Sequence, residues 1–155
     1  MMKAQLYSDL LRQAQAITEG ESNLIANLSN ISALLYDAID DINWLGFYLA
    51  DSNEELVLGP FQGKVACVRI PFGKGVCGVG AKTQQTQCVK NVHEFEGHIA
   101  CDSASNSEIV APIVVNGKTV AVLDIDSPSI GRFDHEDAAG FQKIADFCSN
   151  LNWQK

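Results

Sequence analysis

Residues 108–126 read EIVAPIVVNGKTVAVLDID. Two runs rich in β-branched and apolar residues, Glu108 to Val115 and Lys118 to Asp126, flank Asn116-Gly117, a pair that tolerates positive φ and predicts a two-residue type I′ hairpin. Alternation along the second run puts Asp124 and Asp126 on one face of the strand and Ile125 on the other. Adjacent acids repel, so one of them keeps a proton or the pair binds a cation. The ordinary alternative is a polar strand exit into the turn at Ser127-Pro128.

Glu108 opens the first strand at the same end of the hairpin, which brings three carboxylates to one sheet edge. Regular pairing outward from Asn116-Gly117 sets Glu108 opposite Ile125, facing away from both aspartates. A β-bulge near Pro112, which has no N–H to give to the ladder, restores all three acids to one face, and that bulge is expected.

Upstream of the hairpin, Ile42 to Leu49, Glu55 to Leu58 and Lys64 to Ile70 read as strands of an antiparallel meander, with a short strand at Gln87 to Lys90. Within Asn43-Trp-Leu-Gly-Phe-Tyr48 the rings of Trp44 and Tyr48 share a face with Gly46 between them, which predicts a notch between two aromatics. Ordinary aromatic core packing is the competing reading. Apolar residues at helical spacing predict helices over about 3–19 and 22–39, the second capped by Ser22, and a C-terminal helix over 134–152 capped by Asp134. Gly73 to Thr83 turns into a short helix. The expected architecture is therefore α+β. A central antiparallel sheet over 42–126 carries the N- and C-terminal helices on one face and pocket-forming loops on the other.

The 155 residues suit a single domain spanning 1–155, and 46% hydrophobic content is that of a globular chain. A formal net charge of -8 disfavours nucleic acid and anionic membranes as partners. The first twenty residues, broken by Gln5, Ser8, Asp9, Arg12 and Gln13, hold no apolar signal core, so a cytoplasmic location is expected. Five cysteines, an odd number, argue against a structural disulfide framework and for thiols that are used or buried.

Two glycine patterns invite a nucleotide reading and neither fits. Gly73-Lys-Gly75-Val-Cys-Gly78 matches G-x-G-x-x-G without the βαβ series that builds a dinucleotide crevice, and in the phosphate-loop pattern Ala81 displaces Lys82. A pocket-lining glycine loop is the better reading. Cys88, His93, His98 and Cys101 supply zinc-type ligands, but not at the spacing of a zinc knuckle, and no metal is expected. Cys101 is the unusual thiol. It lies in Gly97 to Glu108, GHIACDSASNSE, a small polar loop and not a core position, with His98 three residues before it.

The segments RIPFGKGVCGVGA (69–81), NVHEFEGHIACDSASNSEIVAPI (91–113) and VLDIDSPSIGRFD (122–134) together resemble the free methionine-(R)-sulfoxide reductase family, single-domain enzymes with the GAF fold. The resemblance runs from about Trp44 to Asp137. It implies that Cys101 attacks the sulfur of free methionine-(R)-sulfoxide, that Cys67 resolves the oxidised thiol as a disulfide, and that Cys77 is a further redox-active or backup thiol. It also implies Glu108, Asp124 and Asp126 as substrate-binding acids beside an aromatic wall of Trp44 and Tyr48. Thioredoxin or a similar dithiol would be the reductant, with no cofactor. Cys88 is an extra of this sequence.

The chemistry is consistent with those residues. Sulfoxide reduction needs a nucleophile on sulfur and a proton on the departing oxygen, which crowded acids such as Glu108 and Asp126 keep available. The remaining charge suits an ammonium, and backbone N–H groups around Ile99 to Cys101 suit a carboxylate. The competing function is a GAF-type sensor of a small ligand or of thiol oxidation, which would react once without turnover. Sequence leaves the oligomeric state open, a homodimer included.

Overall fold

The computed structural model describes residues 1–99 and 104–154. In chain order the elements are α1 (Lys3–Thr18), α2 (Leu24–Ala38), β1 (Trp44–Ala50), β2 (Glu55–Gly63), β3 (Arg69–Pro71), α3 (Gly75–Thr83) and β4 (Gln87–Val89). A 3-10 turn at Val92–Glu94 leads to β5 (Ser107–Val115), β6 (Lys118–Ser127) and α4 (His135–Cys148). The strands form one antiparallel sheet in the order β3-β2-β1-β6-β5-β4. No helix among the described residues is long and apolar enough to cross a membrane.

Strand alternation divides the sheet into two faces with different partners. Leu45, Phe47, Ile109, Ala111, Ile113, Ala121, Leu123 and Ile125 pack against α1, α2 and α4 in the main core. Trp44, Tyr48, Val110 and Val122 turn the other way and meet Val76, Cys77 and Ala81 of α3 in a smaller cluster. The helices thus cover one face while α3 and the loops cover the other, as the sequence pattern indicates.

The hairpin turns through Asn116 (φ 52°) and Gly117 (φ 78°), the paired positive φ values of a type I′ turn. Val115 pairs with Lys118 and Val114 with Thr119, but Ile113 pairs with Ala121, so Val120 is an extra residue on β6. The bulge lies beside Pro112 as expected, although the inserted residue belongs to the facing strand and Pro112 itself pairs with Val122. Its consequence is the expected one. Glu108 stands opposite Asp126, and Val110 opposite Asp124.

Other expectations need correction. The second helix is capped by Asn23, whose side chain accepts from the Ala26 N–H at 2.9 Å, and Ser22 lies before the cap. The C-terminal helix ends at Cys148 and not at residue 152. Strand β2 continues past Leu58 to Gly63, and the expected strand from Lys64 is reduced to Arg69–Pro71. Residues 64–68 instead cross the pocket face of the sheet. Their carbonyls accept from the Trp44 indole N–H (Lys64, 3.1 Å), the Tyr48 hydroxyl (Cys67, 3.0 Å) and the Leu58 N–H (Val68, 2.9 Å). The β-branched content of the segment is misleading because Val65 is 88% exposed.

At the opposite side of the molecule α1 is fastened to the start of α4. Asp134 and Asp137 form a capping box, and the buried Asp137 carboxylate also accepts from the Tyr7 hydroxyl (2.8 Å) and the Lys3 ammonium (2.7 Å). Mid-helix Gly140 permits this approach, since a Cβ there would lie 2.3 Å from Tyr7 Cγ. Gly140→Ala gains intrinsic helix propensity of about 1 kcal/mol but overpacks a buried ring. A net loss of about 1–3 kcal/mol is expected, read by chemical denaturation; an unchanged or raised midpoint would show that the two helices separate freely.

Candidate active site

Above the β1–β6–β5 face lies a pocket whose walls come from four parts of the chain. The sheet contributes Trp44, Tyr48, Glu108, Asp124 and Asp126, and the first turn of α3 contributes Gly75, Val76 and Cys77. Ala66 and Ile70 belong to the crossing segment and β3, while His98, Ile99 and Ser105 come from the loop before β5. Register explains the floor. Trp44 pairs with Asp126, Gly46 with Asp124 and Glu108 with Asp126, so all of these project from one face.

The pocket is dominated by buried acid. Glu108 is 7% exposed and Asp124 4% exposed. Burial pushes the Glu108 carboxyl well above its usual range, with the neighbouring charges of Asp124 and Asp126 adding to the effect. Asp126 is raised by burial and by Asp124, and Asp124 is raised by burial against hydrogen bonds that favour its charged form. No Lys or Arg lines the pocket among the described residues. Ser105 donates to Asp126 Oδ2 at 3.1 Å, yet Asp124 Oδ1 and Asp126 Oδ1 are buried without a hydrogen-bond donor among the described residues. Unmet acceptors in a protonation-prone cluster suit a cationic, hydrogen-bond-donating ligand.

Cys77 sits at the edge of this cluster, its Sγ 3.9 Å from Glu108 Oε2. Burial, then the charges of Asp124 and Glu108, push its thiol well up, so it rests protonated. The N-terminal glycines of α3 are packing features. A Cβ on Gly78 would lie 2.4 Å from the Pro71 carbonyl oxygen, and Gly75 (φ +65°) lies under Ile99. The acid floor beside them is the opposite of what a phosphate requires.

The aromatic wall forms, but its notch does not. Trp44 stacks on Tyr48 with centroids 5.8 Å apart and on Phe61 at 5.2 Å, and a Cβ on Gly46 would fall 2.2 Å from Phe61 Cβ. Phe61, paired directly with Gly46, occupies the space over that glycine and stacks on the Trp44 ring. Gly46 is therefore the space for a neighbour's ring.

Of the residues singled out from sequence, Trp44, Tyr48, Cys77, Ile99, Glu108, Asp124 and Asp126 meet in this pocket, and so does His98. Cys67 lies on the crossing segment, outside the predicted strand, and is disulfide-bonded. Cys101 lies outside the described residues. The zinc quartet does not assemble among the described residues. Cys88 pairs with Ile109, which faces the helices, and its thiol sits 3.8 Å from the Phe133 carbonyl, away from His98 in the pocket. Cys148 is buried in the helix core with its thiol pushed up to about 12.

Sequence reading missed Ser105, Ile70, Val76 and Ala66. Only Ser105 left a signal, as a hydroxyl in the polar run before Glu108. Beside Ser105, the Asn106 amide N–H donates to the Pro128 carbonyl at 2.8 Å. That fixes the amide oxygen toward His93, 2.7 Å away, so His93 Nε2 carries the donated proton.

Raised acids make a stability prediction with a definite sign. Where Glu108 holds a proton in the folded state but not in the unfolded one, the folded state binds more protons, and stability falls as pH rises. The fall begins near the unfolded value of 4.5 and continues to the raised folded value. Glu108→Gln cannot ionise, so its melting temperature relative to the parent is expected to climb across that window. A constant difference from acid to neutral pH would mean that Glu108 titrates normally.

Residues 9–151 match the GAF domain family. The chain is 54% identical to the free methionine-R-sulfoxide reductase of Escherichia coli over 144 residues, 93% of this chain and 87% of that protein. It is 48% identical to the free methionine-R-sulfoxide reductase of Saccharomyces cerevisiae over 92% of this chain and 83% of the yeast protein. The crystal structure of the Neisseria meningitidis free methionine-R-sulfoxide reductase in complex with its substrate superposes with a TM-score of 0.94 at 42% identity, covering 98% of this chain and 91% of that one. With the GAF fold in place and identity of this extent over nearly its whole length, the chain belongs to the free methionine-R-sulfoxide reductase family of GAF-domain proteins.

Proposed function

We propose that this protein reduces free methionine-R-sulfoxide to methionine, and that the acid pocket is where it does so. The observation that carries the reading is the buried trio Glu108, Asp124 and Asp126, with two carboxylate oxygens lacking donors and no Lys or Arg lining the pocket among the described residues. An α-ammonium fits that deficit. A methionine sulfoxide within a peptide has no such group and leaves the acids unpaired, which explains a preference for the free amino acid. Trp44 and Tyr48 supply an apolar wall for the methyl and methylene groups, and Ile99 closes the pocket from the loop.

In the proposed reaction Cys101 attacks the sulfoxide sulfur while an acid of the cluster, Glu108 or Asp126, protonates the oxygen. The substrate leaves as methionine, reduced by two electrons, and Cys101 carries the oxygen as a sulfenic acid. Cys67 then condenses with it, releasing water and forming a disulfide, which a dithiol such as cytoplasmic thioredoxin reduces by exchange. That Cys67 is disulfide-bonded supports its use as the resolving thiol. Cys77, protonated beside Glu108, is the reserve thiol, activated only when a cation offsets the surrounding charge. The scheme needs no organic cofactor and leaves room for a homodimer.

The test supplies a dithiol with free methionine-R-sulfoxide, the S epimer and an N-acetylated R analogue in parallel. Methionine is expected from the free R epimer alone, and none from it would sink the proposal. Cys101→Ser is expected to abolish even the first turnover, whereas Cys67→Ser completes one and stalls; equal first-turnover yields would assign the nucleophile elsewhere. Loss of the acid in Glu108→Gln or Asp126→Asn is expected to lower kcat/KM by at least about 100-fold.

A further inference from the structure

Cys77 Sγ, a Glu108 carboxylate oxygen and an Asp124 carboxylate oxygen all lie within 4.8 Å of one another, and all three residues are buried. They come from α3, β5 and β6, so only the tertiary fold assembles them. We propose that these three side chains form an inhibitory site for a borderline-soft divalent cation, Zn²⁺ above all, which occupies the pocket in place of the substrate.

Two features point to a cation at this spot. The donor set is the first. Zinc bonds of about 2.0–2.3 Å in tetrahedral geometry put ligand atoms roughly 3.3–3.6 Å apart. Cys77 Sγ and Glu108 Oε2 already stand 3.9 Å apart and all three donor atoms lie within 4.8 Å of one another, so closing the site needs side-chain movements of about 1 Å. The second is the unused valence: Asp124, only 4% exposed, holds an Oδ1 with no donor among the described residues.

The chemistry selects the metal. Mg²⁺ and Ca²⁺ prefer shells of oxygen alone and gain little from sulfur, while a thiolate with two carboxylates suits zinc and leaves a fourth position for water. On binding, the Cys77 thiol gives its proton to solvent and its sulfur becomes the soft ligand. A divalent ion satisfies the excess of buried negative charge that a substrate ammonium would otherwise satisfy. No electron moves and the reaction itself does not require the ion.

The experiment uses the full chain with its Cys67 disulfide intact, so that no reductant competes for metal. Zn²⁺ uptake is measured against a chromogenic chelator, and Co²⁺ is added separately to look for thiolate-to-cobalt absorption. One equivalent of uptake with that absorption is expected. Because loss of a group that merely supports a ligand already weakens metal sites by about 10–100-fold, Cys77→Ser and Asp124→Asn are each expected to weaken uptake by at least about 100-fold. Cys88→Ser removes the exposed thiol and is expected to change nothing. A far-UV circular dichroism spectrum like the parent's identifies a folded Cys77→Ser, and Cys77→Ala replaces it if that variant fails to fold. No uptake by the parent protein, uptake that survives loss of Cys77, or absorption lost in Cys88→Ser would each overturn the site. Binding is read without turnover and so is decided separately from whether the protein reduces the sulfoxide. In a turnover assay Zn²⁺ is expected to raise the apparent KM for the R-sulfoxide, and a lowered kcat at constant KM would place the ion outside the pocket.

Discussion

The register between β5 and β6 sets Glu108 opposite Asp126 with Asp124 two residues along, and the rest of the pocket is arranged around those buried acids. Desolvated carboxylates are costly, and three of them cannot all ionise together in a site that no Lys or Arg lines among the described residues. The fold accommodates the cost by letting protons stay on the cluster and by binding Asp126 to Ser105. A cation entering the pocket relieves what remains. Substrate recognition and local destabilisation thus have one origin, the excess of buried negative charge.

The two faces of the sheet divide the labour. Toward α1, α2 and α4 the strands present almost unbroken apolar surface, and burial there stabilises the chain without regard to function. Toward α3 the same strands alternate aromatics and acids, and cover is supplied by loops. The crossing segment 64–68 is held by side chains of the pocket itself, the Trp44 indole and the Tyr48 hydroxyl. Those rings therefore shape the wall and also fix the backbone that carries Cys67. A change in either ring is felt at both places.

Much of this was legible in the residues. The Asn116-Gly117 turn, the N-cap at Asp134, the terminal helices and the short helix after Gly75 follow from local backbone preference and from apolar spacing, which act over a few residues. The conflict between a regular hairpin and the three acids was also legible, and it called for an irregularity near Pro112 that exists at Val120. Where the reading failed, distant parts of the chain decided the outcome. Residues 64–68 look like a strand until Trp44 and Tyr48 take their carbonyls, and the space over Gly46 looks open until Phe61 arrives from β2.

By itself the sequence determined the α+β class, the hairpin, the pocket acids and aromatics as candidates, and the family. These depend on local conformational preference, on strand alternation and on strings of residues that carry their own signature. Only the tertiary structure decided which strand holds the extra residue, that Cys77 lies 3.9 Å from Glu108, and that Cys88 faces away from the pocket that holds His98. Those facts rest on pairing between strands and on packing of α3 against the sheet, contacts between residues far apart along the chain that no local pattern specifies.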